Sequence, residues 1–100
     1  MTNSNDKQRK RIAILGSTGS IGTQALDVID RNSDIFEVEI LTANSNVDLL
    51  IEQARKFKPN AVVIADDSYY QTLRQALDPL DIKVYAGDEA LKQVVRMGSI

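Results

Sequence analysis

Ile12-Ala-Ile-Leu-Gly-Ser-Thr-Gly-Ser-Ile-Gly22 is the stretch on which the reading of this chain turns. Apolar, β-prone residues run into three glycines, Gly16, Gly19 and Gly22, and the helix-period positions Ile21, Ala25, Val28 and Ile29 follow at once. A strand, a tight turn and an amphipathic helix are expected in that order. Each glycine has a separate task in such a turn. Gly16 tolerates the backbone angles of the bend, Gly19 lets a pyrophosphate approach the backbone, and Gly22 lets helix and strand pack closely. The helix N-terminus supplies unpaired N–H donors and a partial positive charge that favour a phosphate, and the Thr18 and Ser20 hydroxyls add further donors. The spacing GxxGxxG is a variant of the dinucleotide fingerprint GxGxxG, and the Lys-Ser/Thr pair of a Walker A loop is absent. The plainer alternative is that the glycines only close a βα turn and that Ser20 caps the helix.

Working outward, short β-rich runs recur at residues 12–15, 36–43, 61–65 and 82–85, with starts about 21 to 25 residues apart. Between them lie helix-period segments. The second carries Val47, Leu50, Ile51, Ala54 and Phe57 on one face and is stopped by Pro59; the third covers residues 68–77; the fourth begins near Asp88 with Leu91, Val94 and Val95 as its apolar side. Ala61-Val-Val-Ile-Ala65 is apolar on both faces, as a central strand of a helix-covered parallel sheet must be. The βαβαβαβα order predicts an α/β fold: a Rossmann-like, doubly wound three-layer sandwich of four parallel strands, with right-handed crossovers placing helices on both faces. Residues 1–10 lack any apolar period and are expected to form a disordered tail, leaving residues 11–100 as the domain. The basic cluster Lys7, Arg9, Lys10 and Arg11 reads as a solvated flank.

Composition narrows the chemistry. In 100 residues, 43% hydrophobic content suffices for one modest core. Twelve basic and 14 acidic side chains leave a net charge of −2, which offers no positive field for a nucleic-acid backbone. With no His and no Cys, Ser-His-Asp and Cys-His catalysis and disulfides are excluded within these residues. No apolar run exceeds about five residues, against the roughly 20 that span a bilayer. A soluble, cytoplasmic protein without membrane or nucleic-acid partners is expected.

Dinucleotide domains discriminate between cofactors at the end of the second strand, here Leu41-Thr-Ala-Asn-Ser-Asn46. An Asp or Glu that would bond the ribose diol of NAD is missing. Thr42, Asn44, Ser45 and Asn46 are neutral and would not repel a ribose phosphate, which favours NADP. Alternatively, Asn44 and Ser45 shape the loop and Asn46 caps the second helix. Asp66 and Asp67 read as a helix cap rather than metal ligands, Asp27 and Asp30 as a solvated pair, and one of Tyr69 and Tyr70 as packing on the sheet.

From about Arg11 to Gly87 the chain resembles the 1-deoxy-D-xylulose 5-phosphate reductoisomerases. The likeness rests on ILGSTGSIGTQALDVI from Ile14, on LTANSN from Leu41 and on LLIEQARKFKPNAVVIAD from Leu49. It implies the NADPH-binding N-terminal domain of an enzyme of the non-mevalonate isoprenoid pathway. That enzyme rearranges 1-deoxy-D-xylulose 5-phosphate and reduces the product to 2-C-methyl-D-erythritol 4-phosphate, using a divalent metal, magnesium or manganese, as a cytoplasmic homodimer. By the same resemblance Thr18, Gly19, Ser20 and Ile21 contact the pyrophosphate and Asn46 the adenosine side; Asn44, at the end of the second strand, is taken with them as a cofactor-binding residue. Asn44 and Ser45 stand where many members carry Gly-Lys. Members are several times longer, so the catalytic and metal-binding residues are expected beyond Ile100 and these 100 residues alone are expected to be inactive. Two other readings use the same turn: a dinucleotide-sensing regulatory module without catalysis, and a βα interaction domain whose glycines are purely structural.

Overall fold

Four β-prone runs and four amphipathic segments alternate in a computed structural model that describes residues 9–96. The strands are β1 (Lys10–Ile14), β2 (Phe36–Ala43), β3 (Ala61–Ile64) and β4 (Lys83–Ala86). The helices are α1 (Ser20–Arg31), α2 (Val47–Phe57), α3 (Tyr70–Leu77) and α4 (Asp88–Arg96). Single 3-10 turns precede and follow α3, at Asp67–Tyr69 and Asp78–Leu80. The sheet is parallel throughout, in the order β1-β2-β3-β4.

That order distributes the helices. Each strand steps in the same direction from the last, so right-handed crossovers send α1, α2 and α3 to one face rather than to alternate faces. Leu26, Ile29, Leu50, Ala54, Leu73 and Leu77 there pack against Ile14, Leu41, Val62 and Ile64. Among the described residues α4 alone covers the opposite face, where Val94 meets Ala13, Ile40 and Val63. The expected three layers are present, with three helices on one side and one on the other. In β3, Val62, Val63 and Ile64 are each at most 1% exposed, so the run apolar on both faces is a covered strand.

Three boundaries differ from the expectation for physical reasons. The tail expected over residues 1–10 lies mostly outside the described residues, but β1 already begins at Lys10, whose N–H donates to Ile35 O at 2.8 Å. Beside it, exposed Arg9 and Arg11 reach half-buried Glu37 and Glu39 in long ion pairs of 3.7 and 3.9 Å, so the guanidinium groups stay solvated. In α1 the buried residues are Gly22, Leu26 and Ile29, while Ile21 is 83% exposed and Val28 half exposed. Of the expected face, Ile29 is buried and Ala25 packs against the core, but Ile21 and Val28 turn outward because Gly22, not Ile21, faces the preceding loop. Finally, Ile12 pairs with Val38 but Ala13 with Ile40, so Glu39 is an extra residue, a bulge that shifts the inward-outward alternation of β2.

Candidate functional site

Gly16 ends β1 in the left-handed region, at φ 71°, and turns the chain toward α1. A Cβ on Gly22 would overlap Gly16 O and lie 2.7 Å from Ser17 Cα, so helix and loop touch backbone to backbone. Gly19 is different. A Cβ there would meet only Gly16 O, at an ordinary 3.5 Å, in a residue that is exposed. The fold requires glycine at positions 16 and 22; at position 19 it leaves open space above the backbone.

The base of the loop is tied to the neighbouring elements. Gly16 N–H donates to Thr42 Oγ1 at 2.8 Å and Ser17 N–H to Thr42 O at 2.7 Å. Gln53 of α2 closes the other side: its Oε1 accepts from Ser17 Oγ at 2.7 Å and its Nε2 donates to Ser17 O at 2.8 Å. Ser17, Thr42 and Gln53 are the buried polar residues among those described. Thr42, 2% exposed and committed to the loop, is thus not free to meet a ribose, which corrects its place among the neutral groups expected there.

The tip is open. Gly19 is the N-cap of α1 with no side-chain cap, so Ser20 is the first helical residue and not the cap. The first bond from the cap runs from Thr23 N–H to Gly19 O at 2.9 Å, leaving the N–H groups of Ser20, Ile21 and Gly22 without acceptors a turn back. The first turn holds no acidic residue, so the positive end of the helix dipole is not offset by the chain. Thr18 is half-buried, and Gly19, Ser20 and Ile21 are exposed around this end.

The second turn follows β2, adjacent to β1 and parallel to it, so both turns rise from the same end of the sheet. Asn44, Ser45 and Asn46 are exposed. Asn46 caps α2, its Oδ1 accepting from Leu49 N–H at 3.3 Å, and Asn44 O accepts from Asp66 N–H at 3.0 Å. Asp66 in turn caps the 3-10 turn: its Oδ1 accepts from Ser68 Oγ at 2.7 Å and Ser68 N–H at 3.1 Å, bonds that hold its carboxyl below the usual carboxylate range. Asp27 and Asp30 pair with Arg31 and Lys56 at the surface. Among the described residues no three carboxylates converge. The structure therefore brings Thr18, Gly19, Ser20 and Ile21 together at one turn and Asn44 and Asn46 at its neighbour. Sequence reading missed Gln53. Its signal is a polar residue three positions after Leu50 and one before Ala54, on the buried stripe of α2.

A family model described as 1-deoxy-D-xylulose 5-phosphate reductoisomerase matches residues 12–100, both turns included. The chain belongs to the 1-deoxy-D-xylulose 5-phosphate reductoisomerase family. The reductoisomerase of Phocaeicola vulgatus is 63% identical over 87 residues, which are 87% of this chain and 23% of that protein. Among solved structures, the reductoisomerase from Zymomonas mobilis in complex with NADPH superposes with a TM-score of 0.86 at 41% identity, covering 92% of this chain and 24% of that one. A reductoisomerase in complex with NADPH, fosmidomycin and magnesium superposes with a TM-score of 0.75 at 34% identity, over 82% of this chain and 20% of that one. The chain thus spans about a quarter of the length of the reductoisomerases it matches.

Proposed function

We propose that this chain is the NADPH-binding domain of a 1-deoxy-D-xylulose 5-phosphate reductoisomerase, which converts 1-deoxy-D-xylulose 5-phosphate to 2-C-methyl-D-erythritol 4-phosphate. The observation that carries the proposal is the uncapped, acid-free N-terminus of α1 beneath an open Gly19, in a chain of this family. A pyrophosphate fits that turn: the Ser20 and Ile21 N–H groups and the Thr18 and Ser20 hydroxyls face an anion without any need for a basic side chain. Asn44 and Asn46 meet the adenosine side at the adjoining turn, where the absence of an acidic residue suits a ribose phosphate. Bound NADPH supplies the hydride for the reduction. The residues here bind and orient it, and Gly19 leaves the space in which it approaches the backbone.

Family membership favours an enzyme over a dinucleotide sensor with the same turn. The sugar phosphate and the divalent metal, magnesium or manganese, fall to parts of the enzyme that this chain does not cover; a magnesium-bound family structure supports the metal. The assembly as a cytoplasmic homodimer extends the family resemblance.

Thermal unfolding with NADPH and NADH tests the reading. Ligand at about 100 times its dissociation constant adds roughly 2.7 kcal/mol and raises the midpoint by several degrees in a domain of this size. NADPH should stabilise more than NADH. In Gly19→Val the shift should vanish while the unliganded midpoint stays nearly unchanged, because the new side chain enters open space. An equal NADPH shift in Gly19→Val and the parent protein overturns the assignment.

A further inference from the structure

We infer that Gln53 and Thr42 are positioning residues for the cofactor, a clamp that holds the pyrophosphate turn in binding geometry against the adenosine-side turn. The inference rests on the NADPH reading above. Every hydrogen-bonding group of Ser17, and the N–H of Gly16, is engaged by these two side chains or by the backbone of Thr42. The amide of Gln53 has one workable orientation, because Ser17 O only accepts and so requires the Nε2 side, which leaves Oε1 to take the Ser17 hydroxyl hydrogen. Gln53 is 8% exposed, and Ser17 and Thr42 are at most 2% exposed, so the bonds are formed away from competing water.

The clamp ends where the open tip begins. Gly16 and Ser17 are pinned and Gly19 N–H folds back onto Gly16 O at 3.0 Å, whereas the Thr18 and Ser20 hydroxyls and the first N–H groups of α1 point past the clamp. Thr42 lies two residues before Asn44, and Gln53 lies on the helix that Asn46 caps. The two side chains therefore join the base of the first turn to the strand and helix that flank the second. A ligand reaching both turns meets them already spaced, and the cost of ordering the loop is met in folding instead of binding. A clamp of this kind contributes equally to the ground state and the transition state. Its loss should raise the KM for NADPH and leave kcat in place.

The test uses the intact enzyme and compares Thr42→Val, Thr42→Ser and Gln53→Leu by NADPH affinity, KM for each substrate, kcat and thermal midpoint. Thr42→Val keeps the volume and removes the acceptor for Gly16 N–H, while Thr42→Ser keeps the acceptor and removes a methyl. Thr42→Val and Gln53→Leu should weaken NADPH about tenfold, with KM for the sugar phosphate and kcat within about twofold. Thr42→Ser should keep the parental KM for NADPH even where its midpoint falls. If all three variants lose midpoint while NADPH affinity stays parental, the residues are structural only and the inference is overturned. If Gln53→Leu does not fold, the Thr42 pair decides it alone. Failure of the unsubstituted enzyme to bind NADPH overturns the cofactor reading, and the clamp with it.

Discussion

At the scale of single residues, the turn after β1 divides between side chains that shape it and side chains left exposed at its tip. In the proposed function Ser20 belongs to the second group. As a helix cap it would have contributed about 1 kcal/mol to folding, but Gly19 holds that position and the Ser20 side chain is exposed. Ser20→Ala should therefore leave the unliganded stability within about 0.5 kcal/mol of the parent, the usual range for an exposed site. NADPH affinity should fall about tenfold, equivalent to roughly 1.4 kcal/mol and one charge-assisted bond. Calorimetry of NADPH binding beside a denaturation curve checks this; a loss of stability with unchanged affinity would return Ser20 to a structural role. The glycines were legible in sequence because their structural meaning is local: a strand, a bend and a helix within eleven residues. Thr42 and Gln53 were not, since their partners lie 26 and 36 positions away. Thr42 even counts by sequence among the neutral groups that would not repel a ribose phosphate, because nothing in its neighbours shows which way its hydroxyl is spent.

At the scale of elements, α1 shows how one glycine sets the rotation of a whole helix. Periodicity predicts a face of Ile21, Ala25, Val28 and Ile29, of which Ala25 and Ile29 do meet the core. The structure chose the face through Gly22, Leu26 and Ile29, because only there does the first turn carry no side chain against Gly16 and Ser17. The neighbour in that contact is backbone, which cannot swing aside. Gly22→Ala should consequently cost about 1–3 kcal/mol as an overpacked core would, and it should also displace the N–H groups that face the pyrophosphate. Its urea midpoint and its NADPH affinity should fall together, in contrast to Gly19→Val, which loses affinity alone. A parental midpoint for Gly22→Ala would refute the backbone contact. The other helix limits were readable. Asn46 caps α2 through Leu49 N–H, and the helix stops at Lys58, left-handed at φ 50°, just before Pro59. The bulge at Glu39 was not readable, since strand register depends on the partner and β1 and β2 are joined through a whole helix.

At the scale of the molecule, the unequal faces of the sheet predict unequal stability. Strand order has no local signature: four βα units fit either alternating faces or a single face, and the observed order follows from each crossover stepping the same way. Three helices then share one continuous core, with Leu41, Leu50, Ile64, Leu73 and Leu77 all fully buried. The face under α4 is thin. Its buried residues are Ala13, Ile40, Val63 and Val94, three small side chains and one isoleucine where the other face is mostly leucine and isoleucine, and Val95 of α4 is 55% exposed. A groove of about 540 Å³ beside α4, reaching from Asn60 to Gln93, leaves part of that face of the sheet without packing. Less apolar area holds α4 than holds α2, so α4 should open alone. Native-state hydrogen exchange on this 100-residue chain should show α4 amides exchanging at a lower opening free energy than those of α2 around Leu50 and Ala54, with little dependence on denaturant. Bound NADPH should slow exchange in the first turn of α1 and leave α4 unaffected, since the two turns lead into α1 and α2, which pack on the face of the sheet away from α4. Exchange of α4 and α2 at one common free energy would mean that the small face is as cooperative as the large one, and that the sheet transmits stability between its layers.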